Sequence, residues 1–408
     1  METNASEEKV TLRVVSLWPP GRAALPAHAL AREFPFPRAM QRSNLPHLLD
    51  ISRAFQIHGE ILHAEACKVG HINETYTATY DQGGTQVRYI HQRINHEVFK
   101  DPTGVMDNLV RVTTHLRSKL ATAGVKDLTR RALTVVPTND GASFHKTAEG
   151  EYWRTFVFIE RVRTFEAVET TAQAFEAGRA FGEFQGLLVD LPGARLAETI
   201  PHFHHTRRRF DAMVAAMHAD KANRAVAAKS EIAWALKQEA TVDVVLNALA
   251  KKRIPERITH NDTKFNNVML DTETRKAMCV VDLDTVMPGT PLYDFGDMVR
   301  TTTSPTMEDE LDLSKVRMQM PMFKALARGY LGTAGAFLTK NERALIAFSG
   351  RLITLTIGLR FLTDFLMGDT YFRVHRPQHN LDRSRTQFRL VESIARQEEA
   401  MQKFAESL

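Results

Sequence analysis

Asp262 stands in the run Thr259, His260, Asn261, Asp262, Thr263, Lys264, and Asn267 follows five residues on. Fifteen residues further, Asp282 and Asp284 close an apolar run containing Met278, Val280 and Val281. A loop carboxylate can orient an alcohol and take its proton as a phosphoryl group moves onto the oxygen. An amide oxygen and a carboxylate at a strand end are hard donors of the kind magnesium prefers. The twenty residues from Asp262 to Asp282 leave room for a loop and a β-hairpin. The pattern therefore assigns Asp262 as base and Asn267 and Asp282 as metal ligands. Asp284 either shares that metal through water or stands behind it. Isolated Asn and Asp residues are common in turns, but His-x-Asp-x-x-x-x-Asn before an apolar strand ending in Asp-x-Asp is a longer pattern than turns produce.

The elements that must position these residues fall into two groups. Apolar spacing predicts a helix over 45–55 and strands over 60–67, 75–80 and 86–94, with Asp81, Gln82, Gly83 and Gly84 as a hairpin turn. A helix over 105–120 and strands over 133–136 and 150–160 complete a small antiparallel lobe. Beyond it the pattern is helical, at 172–188, 207–217, 225–250, 315–331, 342–367 and 383–406. Short strands at 268–270 and 277–281 flank the metal-binding pattern. The expected fold is α+β and bilobal, with a β-rich nucleotide lobe over 44–162 and a helical catalytic and substrate lobe over 163–408. Residues 1–43, interrupted by Pro19, Pro20, Pro26, Pro35 and Pro37, read as an irregular extension.

Composition narrows the class. The chain has 408 residues, 43% hydrophobic and 25% charged, with a net charge of +5. That charge is modest and scattered, which argues against nucleic acid as a partner. No apolar run is expected to reach the length of a membrane span, and the polar N-terminus carries no signal-peptide pattern. Cys67 and Cys279 read as buried free thiols, which fits a cytoplasmic protein. The spacing of His202, His204 and His205, with no carboxylate or cysteine beside them, is poor support for a zinc site.

The run from Thr259 to Lys264, Asn266 with Asn267, and Asp282 to Thr285 resemble the aminoglycoside phosphotransferase and choline kinase superfamily. More narrowly, the chain is similar to bacterial N-acetylhexosamine 1-kinases. That similarity extends through Gly70, His71, Asn73, Trp153, Arg154, Phe158, Ile159, Glu160, Phe203, His204, Asp294, Asp297, Arg360 and Tyr371, and covers about residue 45 to the C-terminus. The resemblance implies a protein-kinase-like fold, ATP and magnesium as cofactors, and transfer to the anomeric hydroxyl of N-acetylglucosamine or N-acetylgalactosamine. It implies Gly70, Asn73, Thr75, Gln92, Phe158 and Glu160 around the nucleotide, and His71, Thr285, Arg360 and Tyr371 around the sugar. Each sugar residue has a plainer alternative: His71 ordering its turn, Thr285 capping a loop, Arg360 paired with Asp364 one helical turn on, and Tyr371 in the core.

The sequence departs from the wider kinase pattern in one place, where it follows the narrower family, and from the sugar-kinase pattern in two. The third strand has Gln92 where kinases carry a lysine that reaches the phosphates. Arg93 beside it should face the other way, so the metal must carry more of the charge neutralisation. Thr301 stands where an aromatic is expected, and Thr356 where an acidic residue is expected, one turn before Arg360. The leading expectation is an ATP-dependent sugar 1-kinase with a small-molecule sugar partner, acting as a monomer or homodimer. Runners-up are a kinase of another small alcohol (an aminoglycoside, a choline-like amine or another hexose) and an inactive nucleotide- or sugar-binding pseudokinase.

Overall fold

The computed structural model describes residues 45–67 and 72–408. The expected extension over 1–43, and Gly70 and His71, lie outside the described residues. By its contacts the chain divides into Met1–Ala39 and Met40–Leu408, and everything below belongs to the second unit.

The small lobe begins with α1 (Leu45–Arg53), followed by β1 (Glu60–Ala66), β2 (Glu74–Gln82), β3 (Thr85–Ile94), α2 (Pro102–Thr122), a short turn α3 (Leu128–Arg131), β4 (Val135–Val136), β5 (His145–Lys146) and β6 (Tyr152–Val157). The strands form one antiparallel sheet ordered β1-β2-β3-β6-β4, with β5 also on β6. The β2–β3 hairpin turns at Gly83 and Gly84, both with φ positive (66° and 86°), the conformation a two-residue hairpin loop requires. Alternation along β3 splits the lobe into two cores. Tyr89 packs with α1 and Trp153 on one face, and Ile90 and Ile94 pack with α2 and Phe156 on the other. Gln92 has the parity of the second face, toward α2. Arg93 turns away from it, onto Glu74 and Glu151.

A linker through Phe158, Ile159 and Glu160 leads to β7 (Val162–Arg163) and the large lobe. Its helices are α4 (Thr171–Leu188), α5 (Thr206–Ala219), α6 (Lys229–Leu236) and α7 (Val244–Ala250). Next come β8 (Arg257–Thr259), β9 (Val268–Asp271), β10 (Ala277–Val280) and β11 (Met287–Gly289). Then follow α8 (Pro291–Thr302), α9 (Met320–Ala334), α10 (Lys340–Arg343), α11 (Ile346–Met367), α12 (His379–Ala395) and α13 (Glu398–Glu406). β10-β9-β7 make one small sheet and β11-β8 a two-stranded ribbon. α4 and α9 cross at backbone distance: a Cβ on Gly178 would lie 2.2 Å from Leu326 O, and one on Gly329 would lie 2.1 Å from Phe175 O.

Three expectations change. The helix expected over 225–250 breaks into α6, a single turn Glu239–Thr241 and α7, because Val242 turns into the core against α5 and α11 while Arg207 holds Glu239 and Asp243. Helix α8 was not expected, since Asp294, Gly296 and Asp297 obscure its apolar pattern; Thr290 as N-cap and Pro291 in the first turn were its legible signals. α11 is long and apolar enough by composition to cross a membrane, contrary to the sequence expectation. Its residues are buried almost all round among α5, α8, α12 and α13, which is how a central helix comes to be apolar on every side.

Candidate active site

The loop after β8 carries Asp262, the expected base, and its shape is fixed from below. β8 pairs with β11, so Thr259 lies opposite Met287. Asn261 then adopts the left-handed conformation (φ 67°), which Asn tolerates better than most residues. The side chain of Asn261 bonds Thr259 O and Thr285 O at 3.1 and 2.9 Å, closing the turn. Helix α8 anchors the backbone. His260 N and Asn261 N donate to the two oxygens of Asp294 at 2.8 and 2.7 Å, and Thr263 N donates to Asp297 at 3.1 Å. Asp294 is fully buried and also accepts from Gln185; burial pushes its carboxyl up to about 6. His260 packs edge-on to Phe181 and Phe184, donates through Nε2 to Val281 O at 2.9 Å, and so presents Nδ1 to Asp262 N.

Asp262 thereby projects from a rigid turn. Its carboxylate lies 2.9 Å from Lys264 Nζ, an ion pair with about half of the lysine side chain open to solvent. Burial pushes the Asp262 carboxyl up, but the Lys264 ammonium outweighs it, with help from His260 and Arg300, and the group sits below the ordinary carboxylate range. Asn267, in the helical turn Phe265–Asn267, donates its amide to Asp262 O at 2.8 Å and to Oδ2 at 3.3 Å, leaving the amide oxygen as a donor atom for another group. Val281 N bonds Asn267 O at 2.9 Å, so the β9–β10 hairpin brings the metal segment to the loop.

Asp282 follows in a left-handed conformation (φ 60°) at the head of the turn Leu283–Thr285. It stands open to the cleft yet is crowded by protein. That surrounding mass, then Asp284 and Asp262, push its carboxyl up to about 7. Such an accumulation of negative charge is what a cation relieves, and Asn267 with Asp282 offers the oxygen donors magnesium takes. Among the described residues no three His, Cys, Asp or Glu gather as a self-sufficient metal cage. Two protein ligands suit a magnesium whose remaining positions go to water and substrate phosphates. Leu283 and Val286 pack into the α2 core of the small lobe, and Asn108 donates to Val286 O at 3.0 Å.

The other expected residues divide. Asp284 is 1% exposed and faces Arg154 rather than the cleft, with Nη1 2.6 Å from Oδ1 and Nη2 2.8 Å from Oδ2. Asn73 donates to the same Oδ2 at 2.6 Å and accepts from Asn95 N. Gln92 accepts from Arg154 and donates to Thr75 Oγ1 at 2.8 Å. Asn73, Thr75 and Gln92, all half-buried, and the buried Asp284 are thus one network around the buried Arg154. In the linker, Phe158 N bonds Arg88 O, the Arg88 guanidinium lies 3.9 Å over the Phe158 ring, and Glu160 pairs with Arg88. Thr285 donates its hydroxyl to His260 O at 2.7 Å, bracing the turn that carries Asp262.

On the opposite side, Arg360 lies over the rings of Phe203, Tyr371 and Phe372 and reaches Tyr371 OH at 3.4 Å. Asp364, its partner in the plainer alternative, is taken by the backbone N–H groups of Thr370, Tyr371 and Phe372 and by Asn380. Tyr371 is exposed, not core. Arg209 stands nearby, donates to Phe203 O, and has its Nε buried without a partner. Burial and the charge of Arg360 push its guanidinium down to about 10. Thr356 is buried against Thr206. His204 donates to Asn261 O at 2.7 Å, which assigns this histidine to loop support. Cys67 is half-buried beside Thr77, and Cys279 is buried. Sequence reasoning gave no role to Lys264, Arg154 or Arg209. Lys264 and Arg154 were inside the quoted motifs, whereas Arg209 carried no spacing signal.

A small antiparallel lobe over a helical lobe, with a loop Asp, a loop Asn and a strand-end Asp meeting at the cleft, defines a kinase-like phosphotransferase. The family model described as the phosphotransferase enzyme family (APH) matches residues 63–331, and the chain belongs to that family. Solved structures share the fold at low identity. An aminoglycoside phosphotransferase from Alicyclobacillus acidocaldarius has 11% identity and a TM-score of 0.57, covering 88% of this chain and 96% of its own. A choline kinase from Cryptosporidium parvum Iowa II has 12% identity and a TM-score of 0.53, over 88% and 97%. A microcompartment-associated aminopropanol kinase has 13% identity and a TM-score of 0.51, over 88% and 98%.

Proposed function

We propose that the protein is an ATP-dependent kinase that phosphorylates the anomeric hydroxyl of an N-acetylhexosamine. The observation that carries the phosphotransfer reading is the cleft arrangement of Asp262, Lys264, Asn267 and Asp282. Asp262, kept ionised by Lys264, accepts the proton of the acceptor hydroxyl as its oxygen bonds to the terminal phosphorus and the bond to the departing ADP breaks. The Lys264 ammonium faces the charge that develops on the transferred group. Asn267 and Asp282 would hold magnesium, which when bound neutralises phosphate charge. The Phe158 to Glu160 linker supplies the backbone and apolar surface for the adenine. These parts weigh against a pseudokinase, although β3 lacks a lysine.

The acceptor side supports a sugar over an amine. Arg360 and Arg209 bring two guanidiniums together, and among the described residues neither has a carboxylate within ion-pair distance. A cationic alcohol would be repelled there. A guanidinium can donate to ring hydroxyls and an acetamido carbonyl, and Tyr371 and Phe203 offer ring faces. The relatives of known structure include kinases of aminopropanol and choline, which favours the second reading, a small amino alcohol. A cytoplasmic location fits both.

The test is a panel of free sugars and amino alcohols with magnesium-ATP, scored for acid-labile phosphate. Acid-labile product from a 2-acetamido sugar is expected. Phosphorylation of an amino alcohol with no sugar turned over would overturn the sugar assignment, and no phosphoryl transfer to any alcohol would overturn the kinase reading.

A further inference from the structure

Arg154 is the feature the mechanism above leaves unused. It lies on β6 directly opposite Gln92 on β3, so the two side chains share the face that looks toward α2. It is 2% exposed, and Asp284, from the metal segment of the other lobe, is 1% exposed. Among the described ion pairs it is the one buried on both sides that joins the lobes. Nε and Nη2 of Arg154 donate to Gln92 Oε1 at 2.9 and 2.6 Å, while Nη1 and Nη2 hold the two oxygens of Asp284. One guanidinium therefore ties β3, β6 and the segment of Asp282 into a single unit.

A buried ion pair is weak evidence for stability, because desolvation offsets most of the Coulomb gain. Its location says more. In kinases a cation from the third strand, locked by a buried carboxylate, aligns the nucleotide phosphates with the metal. Here the third strand has the neutral Gln92 at that position, while its Arg88 pairs with Glu160 and its Arg93 with Glu74 and Glu151. We propose that the cation has moved one strand over: Arg154 is the positioning residue that aligns the nucleotide face of the small lobe with the metal-binding Asp282, acting through Asp284. Its guanidinium also keeps Asp284 neutralised and turned from the cleft. Removing Arg154 releases a carboxylate two residues from Asp282 and lets the two lobes lose their register. Gln92 is then not a lost function but the acceptor that fixes the relocated cation. The inference rests on the kinase reading above.

The test uses the full chain with magnesium-ATP and the acceptor identified by the panel. Arg154→Met should raise the KM for magnesium-ATP and the magnesium needed for half-activation by about 10- to 100-fold, the usual effect of losing a group behind a metal ligand. The KM for the acceptor should stay within about twofold, since the acceptor pocket is not touched. Gln92→Lys in the Arg154→Met background returns a cation to β3 on the same face and should recover most of the nucleotide affinity, which restored packing alone would not do. Asp284→Asn combined with Arg154→Met should cost less than the sum of the single changes. If Arg154→Met does not fold, Arg154→Lys, which keeps the charge but loses the planar fork, carries the same readout. An unchanged KM for magnesium-ATP in a folded Arg154 variant, or no recovery on adding Gln92→Lys, overturns the inference. Wild-type protein that neither binds nor turns over magnesium-ATP overturns the kinase reading instead.

Discussion

The two sides of the cleft are held in place by different means. On the catalytic side, the turn from His260 to Lys264 is fastened within one lobe, through backbone N–H groups to Asp294 and Asp297 of α8. On the small-lobe side, Gln92 and Asn73 reach the 282–284 segment only through side chains that cross between lobes, with Arg154 at the centre. The first arrangement moves with the large lobe as one body. The second depends on the lobes being in register, so it can respond to closure over a nucleotide. The difference separates the turn that carries Asp262, which is rigid by construction, from the face around Arg154, which is rigid only when the lobes meet.

Changes on the catalytic side should therefore alter turnover or stability and leave nucleotide affinity alone. The largest effect is expected for Asp262→Asn, a loss of about 10³-fold in kcat with magnesium-ATP binding retained by calorimetry. Binding lost together with turnover would show that the two sides are not separable. Asp294→Ala strands the N–H groups of His260 and Asn261 and the Gln185 amide, and should lower unfolding free energy by about 3 kcal/mol in denaturant titration. A loss below about 1 kcal/mol would mean that α8 is not what fastens the turn.

Acid should probe the lobes separately. Burial pushes His91 in the small lobe and His204 in the large lobe down to about 4. The unfolded chain takes up these protons near 6.5, so stability is fully present above about pH 6.5 and falls as pH drops toward about 4, by about 3 kcal/mol per histidine at most. His91→Gln should remove about half of that slope, read as denaturation midpoint against pH. An unchanged slope would exclude His91 as a source of it. The smallest expected effect is at the acceptor: Arg360→Met should reduce kcat/KM for the sugar about tenfold and leave the KM for magnesium-ATP unchanged.

Much of this was legible in the sequence because the residues concerned are local. The hairpin at Gly83 and Gly84, the amphipathic α2 and α4, and the motif from Asp262 to Asp282 all express themselves within a few residues. Helix α8 was not legible, because its task is to bury carboxylates under a backbone turn, and that requirement breaks the apolar period. The break at Val242 escaped for the converse reason, since a helical pattern was overridden by a core contact from α5 and α11.

Sequence alone determined which groups are available to the cleft: oxygen donors, a loop carboxylate and a third strand without lysine are fixed by residue type and spacing. Tertiary structure decided what each group faces. Asp282 and Asp284 are two residues apart and alike in sequence, yet one opens to the cleft and the other is buried against Arg154. Arg360 had a carboxylate one helical turn away and lies instead among aromatic rings, because Asp364 is needed by the backbone of 370–372. Charge partners are chosen by which atoms meet across strands and lobes, and separation along the chain carries little information about that choice.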